Sequence, residues 1–452
     1  MISEKSAEFL DNLCQKAEKS NQINPLLYEK YNVKRGLRNA DGSGVLVGLT
    51  DIGVVHGYIV DENETVPVEG RLKYRGIDIF DFVNGFQAEK KFGFEEACFL
   101  LLFGNLPNNG EMASFLELLD EHRDLPAGFK ENMILKAPSS DVMNKLARSV
   151  LAYYSYDDNA EDRSIRNILR QLIELIACFP TLIAYGYQAK AHYYDSKSLY
   201  LHNPEKGLST AENFLRLIRP DKKYTPLEAE VLDLGLVLHA EHGGGNNSAF
   251  TIHVVSSSDT DTYSAISAGV GSLKGRKHGG ANIKVIEMME NIKGAVKDWG
   301  NKDEISDYIA RIIKKEVFDK SGLIYGMGHA VYTLSDPRAI LLKEKARSLA
   351  KEKNKEDEFN LYENIEELVP DVFAKVKNVS KIISPNVDFY SGFVYDMLNI
   401  PRELYTPIFA MSRIAGWSAH RLEEIISGGR IIRPAYKNVS EKKEYIPMNE
   451  RK

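Results

Sequence analysis

Five of the ten histidines fall between positions 239 and 329: His239, His242, His253, His278 and His329. Imidazole donates and accepts protons near neutral pH more readily than other side chains. A lone histidine is also an ordinary hydrogen-bonded core residue, so the surroundings decide its interest. Three of the five have glycine neighbours: His242 opens HGGGNNS, His278 sits in GRKHGGAN, and His329 sits in YGMGHAVY. Glycines permit close backbone approach and unusual dihedrals, which the wall of a reactive site needs more than a plain core does. Asp388, in PNVDFYSG, stands at the start of an apolar helical pattern. An acidic residue there is commonly a helix cap, and it is also a candidate base. Arg338 ends SDPR, Arg413 lies in the apolar MSRIAGW, and Arg433 lies in IIRPAY. A guanidinium in an apolar setting calls for a counter-charge. A structural ion pair or a dicarboxylate ligand held by bidentate contacts would each supply one.

Other chemistries fit less well. His239 and His242 are three apart, but HExxH is absent and the thiolates are scattered, so no metal site is expected. GVGSLKG at 269–275 lacks the GK[ST] ending of a phosphate loop, and no GxGxxG follows a strand. There is no GxSxG nucleophile elbow.

The elements that must carry these residues are mostly helical. Residues 1–31 have helical patterning, and 36–60 are rich in glycine and β-branched residues, which suggests short strands or turns, continued by GRLKYRG at 70–76. FGFEEACFLLLFGNLP at 92–107 reads as an apolar helix ended by Gly104 and Pro107. Residues 162–190 form a long apolar-periodic segment that Pro180 should break or kink. Thr225-Pro226-Leu227-Glu228 is a capping box with proline in the first turn. Leu227, Val231, Leu234 and Leu238 then share a face, which extended helically would carry His242 inward. Residues 261–274, rich in Ser, Ala and Gly, suit a tightly packed helix pair in the core or at a subunit contact. The charge-rich 343–379 stretch reads as solvated helix.

Length allows two or three domains. A net charge of -6 and a pI near 6.0 speak against broad nucleic-acid binding. Cys14, Cys98 and Cys178 are far apart and odd in number, which fits reduced structural thiols and a cytoplasmic setting. The first residues have no apolar signal core, and no uncharged run reaches the roughly 18–20 residues of a membrane span, so neither export nor a membrane is expected.

In order, HAEHGGGNNSAF, KHGGAN, GMGHAVYTLSDPR, PNVDFYSG, MSRIAGWSAHR and IIRPAY resemble the motif series of citrate synthases. GRLKYRG and GFEEACFLLLFGNLP look like that family's N-terminal part, so the resemblance runs from about residue 35 to 436. It implies a mainly α, multihelical two-domain fold with a few short strands near the N-terminus. Residues 1–278 would begin a large dimer-forming domain, 279–396 would form a small domain closing over the site, and 397–452 would complete the large one. The implied reaction condenses acetyl-CoA with oxaloacetate and hydrolyses citryl-CoA, with no cofactor. Asp388 would be the base, His278 would stabilise the enolate oxygen, and His329 would polarise and protonate the oxaloacetate carbonyl. His242, Arg338 and Arg413 would hold oxaloacetate, with Asn246 and Ser248 supporting His278. Arg433 would reach the neighbouring site of a homodimer. The pattern departs at Arg276-Lys277 and at Thr333, so it assigns no residues to the CoA phosphates. A 2-methylcitrate synthase using propionyl-CoA is the alternative within the family. A catalytically silent, metabolite-binding paralogue is the alternative outside catalysis.

Overall fold

The computed structural model describes residues 4–39, 43–61, 64–329, 331–379, 382–427 and 429–451. It divides into residues 1–49 and 50–452. The first unit contains a helix, Glu4–Ser20, a short helix, Leu26–Lys30, and a single turn at Arg35–Leu37. Its described side chains are largely exposed, Cys14 among them.

The second unit opens with the strands expected from the glycine- and β-branched-rich stretch. Gly53–Asp61 pairs antiparallel with Glu64–Tyr74, with a register shift between His56 and Tyr58, and the two-residue strand Ile77–Asp78 extends the sheet. Two glycines explain the composition. A Cβ at Gly57 would lie 2.5 Å from the Val331 carbonyl oxygen, and one at Gly70 would lie 2.1 Å from that of Ser335. The hairpin therefore lies backbone to backbone against the segment that follows His329. The Gly70 N–H donates to the Ser335 hydroxyl at 3.2 Å.

Among the described residues, the other elements are helices, apart from two isolated β-bridges. Thr225 and Glu228 form the expected capping box at the start of the helix Pro226–His239, and Ser209/Glu212 and Asn108/Glu111 repeat the device. The helix Phe94–Phe103 ends at Gly104 in the left-handed conformation. Its N-terminus has no cap of its own, and Asp233, buried in the Pro226–His239 helix, accepts from the Gly93 and Phe94 N–H groups at 2.6 and 3.2 Å. A cap borrowed from a distant helix fixes two core elements together.

Pro180 does not end its helix. Ile165–Asp195 runs unbroken through it and is buried on nearly every face in that region. An interior proline, which removes one backbone hydrogen bond and crowds the preceding turn, costs about 3 kcal/mol, less than burying this helix's apolar surface contributes. By length and composition it could also cross a membrane, but 83% of its most apolar stretch is covered by protein, as befits a core helix. It packs against the helices Val142–Tyr153, Thr210–Ile218 and Tyr405–Ile426. The small-residue segment forms the helix Thr262–Lys274, packed within the same chain on Val142–Tyr153 and Asn247–Ser256. Cys98 and Cys178 are buried in this core as free thiols.

Replacing Asp233 with alanine strands the two amide donors and should lower the unfolding free energy by about 1–3 kcal/mol. Urea denaturation of the variant measures it, and an unchanged midpoint would refute the borrowed cap.

Candidate active site

The Pro226–His239 helix stops three residues short of His242. The imidazole is delivered instead by a turn whose Gly243 has φ +83°, which corrects the reading of His242 as one more position on the helix face. Helical pairing ends because the next donors are used elsewhere: the Gly243 N–H donates to the Glu241 carboxylate and the Asn246 N–H to the Gly243 carbonyl. The helix Tyr405–Ile426 then brings in Arg413. This residue is buried, its Nε donates to the His239 carbonyl at 2.8 Å, and its guanidinium lies 4.8 Å from the Phe409 ring centre.

His329 and Asp388 are brought together by a short backbone pairing. Met327 bridges Pro385 in antiparallel fashion, the Gly328 N–H donates to the Ser384 carbonyl at 2.7 Å, and the Asn386 N–H donates to the Gly326 carbonyl at 2.9 Å. Asn386 Nδ2 adds a bond to the Gly328 carbonyl at 2.8 Å. Gly326 sits at φ +79°, and a Cβ there would fall 2.9 Å from the Phe389 Cα, so only glycine admits this pairing. Asn386 also caps the helix Val387–Met397, accepting from the Asp388 N–H at 3.0 Å. The Asp388 carboxylate is thereby released from the capping role its position suggested.

Asp336 joins the two halves. It caps the helix Pro337–Glu352 and takes both Nε and Nη2 of Arg338, at 3.0 and 2.8 Å. It also accepts from the Val387 N–H at 3.2 Å. Sequence reasoning missed it, although Asp-Pro ahead of a helix is a capping signal. Tyr332, also missed, stacks on His329 with ring centres 4.8 Å apart and lies edge-on to His242 at 5.6 Å. The His242 and His329 rings are 5.2 Å apart, and Arg338 lies 5.5 Å from the Tyr332 ring centre.

His278 lies on the turn before the helix Ala281–Ala295. Its Nε2 is 3.3 Å from Ser248 Oγ, which accepts from Trp417 Nε1 at 3.0 Å and lies 2.9 Å from Asn246 Oδ1. Ser248 thus touches His278, and Asn246 touches Ser248. The single Ser248 proton has two candidate acceptors, and donating it to His278 leaves Nδ1–H as the free donor of the ring. Arg433 is exposed, on the stretch after the last long helix, and no hydrogen bond or ion pair joins it to the others among the described residues. Arg276 and Lys277 are exposed too. A concavity of about 750 Å³ lined by Phe86, Lys90, Tyr224, Glu230 and Lys345 lies elsewhere and contains none of these groups.

Burial controls the charges. Desolvation, reinforced by Arg413, lowers His278 to about 4. Desolvation, reinforced by Arg338, lowers His329 to about 4. His242 is pushed well below its usual value by burial, Arg338 and His329. All three are therefore neutral imidazoles at pH 7. The Val331 and Tyr332 N–H groups both donate to His329 Nδ1, at 3.1 Å each, which puts its proton on Nε2. Desolvation raises Asp388 to about 6 against the pull of Arg338. Burial lowers Arg413 to about 10, whereas for Arg338 the Asp336 carboxylate more than offsets burial and the value rises. The result is two guanidiniums, three neutral imidazoles and one carboxylate of strengthened basicity, each imidazole and the carboxylate being desolvated and coupled by charge to Arg338 or Arg413.

These parts combine the charges that suit a carboxylate-bearing ligand with groups able to move protons. The sequence model described as "Citrate synthase, C-terminal domain" matches residues 42–435. Among named relatives, the citrate synthase of Haloferax volcanii is 32% identical over 93% of this chain and 99% of its own length. That of Synechocystis is 32% identical over 85% and 89%. Among solved structures, citrate synthase from Pyrobaculum aerophilum superposes with a TM-score of 0.74 at 28% identity, covering 91% of this chain and 95% of that one. A ternary complex of citrate synthase from Thermoplasma acidophilum with carboxymethyl coenzyme A and oxaloacetate matches with a TM-score of 0.74 at 25% identity, covering 93% and 99%. The chain belongs to the citrate synthase family.

Asp336→Ala leaves the Arg338 charge buried without its partner and should cost about 3–5 kcal/mol of stability. The denaturant midpoint reports this. A loss below about 1 kcal/mol, the range of an exposed pair, would show that Asp336 is not the joint described.

Proposed function

We propose that His278, His329 and Asp388 condense acetyl-CoA with oxaloacetate and that the same site hydrolyses citryl-CoA. By family the chain is an acyltransferase of the citrate synthase type. The observation that carries the assignment of roles is the pairing of one carboxylate of raised basicity with two neutral histidines. An ordinary carboxylate is a poor base toward a thioester α-proton. Desolvation strengthens Asp388, which takes a proton from the acetyl methyl group. His278 donates to the oxygen of the forming enolate, a contribution of about 3–4 kcal/mol by comparison with other oxyanion donors.

The enolate carbon then attacks the ketone carbon of oxaloacetate. His329 Nε2–H points its proton at the ketone oxygen and transfers it as the carbon–carbon bond forms, leaving citryl-CoA. Water cleaves the thioester, giving citrate and free CoA thiol. His242, whose Nε2 is buried without a protein partner among the described residues, donates to oxaloacetate. Arg338 and Arg413 hold its carboxylates.

In the same reading residues 279–396 close over the site. The protein works as a homodimer in which Arg433, exposed in the single chain, reaches the neighbouring site. The reaction as written draws on side chains alone. The unpaired thiols support a cytoplasmic setting.

The test is release of CoA thiol in the presence of oxaloacetate. Asp388→Ala should abolish release and His278→Ala should lower kcat about 10²–10³-fold, both with folding intact. Near-normal turnover in either variant refutes the roles, and faster turnover of propionyl-CoA than acetyl-CoA reassigns the acyl group. The pH profile gives an independent check. Asp388 is active as its anion, so kcat/KM should fall as pH drops through about 6. The histidines, at about 4, become protonated only below that limb. An acid limb centred near 4 would remove Asp388 as the base.

A further inference from the structure

Behind the substrate-facing residues lies a chain of buried polar groups that the reaction does not use. Glu241 precedes His242 and is fully buried. Its Oε2 is 3.1 Å from His420 Nε2, His420 Nδ1 is 3.1 Å from His253 Nε2, and His253 Nδ1 is 2.8 Å from Glu424 Oε2. Glu423 flanks His420 at 3.9 Å and fixes its own carboxylate on the Asp51 N–H. The two contacts of His253 are hydrogen bonds, whereas Glu241 and His420 meet by charge proximity without a directed hydrogen bond. Burial works against ionisation of Glu241, and His420, Arg413 and the Gly243 N–H together outweigh it, holding its carboxyl below the usual range.

Space has been cleared for this carboxylate. A Cβ on Gly416, in the helix that bears Arg413, would lie 2.3 Å from Glu241 Oε2, and one on Gly53, at the start of the first strand, would lie 2.8 Å from its Cγ. Tyr74 Oη donates to the Val237 carbonyl and accepts from the Glu241 N–H, anchoring the backbone of the same turn. Glu241 Oε1 accepts from the Gly243 N–H, closing the turn that aims His242. Glu241 and the Arg413 guanidinium act on one another, each favouring the charge of the other.

We propose that Glu241 is the positioning residue of the oxaloacetate half of the site, seated against His420 in the space that Gly53 and Gly416 leave open. It sets the direction of His242 and balances Arg413 before substrate arrives. This rests on the reading that His242 and Arg413 hold oxaloacetate.

The test is Glu241→Gln, which keeps shape and loses charge, with oxaloacetate affinity measured by calorimetry beside steady-state kinetics. KM and Kd for oxaloacetate should rise about tenfold or more, while KM for acetyl-CoA stays within about twofold. His420→Gln should act in the same direction, and the double variant should fall well short of the product of the two effects. Equal losses for both substrates, tracking a fall in Tm, would show a merely structural residue and overturn the proposal. If wild-type protein fails to bind oxaloacetate, the reading of the site fails; if wild type and Glu241→Gln bind it equally, only the positioning role fails. His253, His420 and Glu423 could also gather around a divalent ion. Tightly held zinc in the purified enzyme, with oxaloacetate binding lost on chelation, would make the His420 side of this cluster a metal site and overturn the positioning role of Glu241.

Discussion

A buried carboxylate with one negative charge and few places to put it organises the catalytic face. Asp336 answers Arg338 through two parallel hydrogen bonds, and its remaining capacity goes to the Val387 amide and to its own helix. Bidentate geometry matters here because it fixes the plane of the guanidinium as well as its distance. The amide it accepts from opens the helix on which Asp388 stands. Arg338 and Asp388, the proposed substrate grip and the proposed base, are thus tied to one side chain. The hairpin glycines press the sheet onto the same segment from outside.

Desolvation has opposite chemical effects on the groups of this site. It makes a carboxylate a better base and an imidazole a poorer one, and both changes serve an enolisation at neutral pH. The nearby guanidiniums divide that work. They keep the histidines neutral by repulsion while holding Asp388 from rising further. A histidine cation at position 278 would offer a stronger donor, but its charge would have to be buried beside Arg413.

Much of this was legible in the sequence where the signal is local. The glycines around His242, His278 and His329 marked real turns, and the Thr225 capping box stands as read. Asp388 looked like a cap because position alone cannot say that Asn386, two residues earlier, takes that duty. Pro180 signals a break or a kink by propensity, and the helix continues through it because packing surrounds it. His253 and His420 are 167 residues apart, and nothing local announces that their rings meet. Asp336 differs, since its signal lay inside the SDPR motif and concerned a helix start instead of a ligand.

The unbroken helix through Pro180 has a consequence for how the chain comes to be folded. Ile165–Asp195 can leave water only when its partners exist, and one of them, Tyr405–Ile426, is among the last helices to be synthesised. Lys190 and Glu403 meet at 2.7 Å across the same distance in sequence. A ribosome adds about 5–20 residues per second, so an apolar segment of membrane-spanning length waits on the order of ten seconds for its cover. During that interval it has the character of an insertion or aggregation signal. Lys190 and the Arg166 and Arg170 charges near its two ends then serve the nascent chain as much as the finished one, by keeping an incomplete core in water.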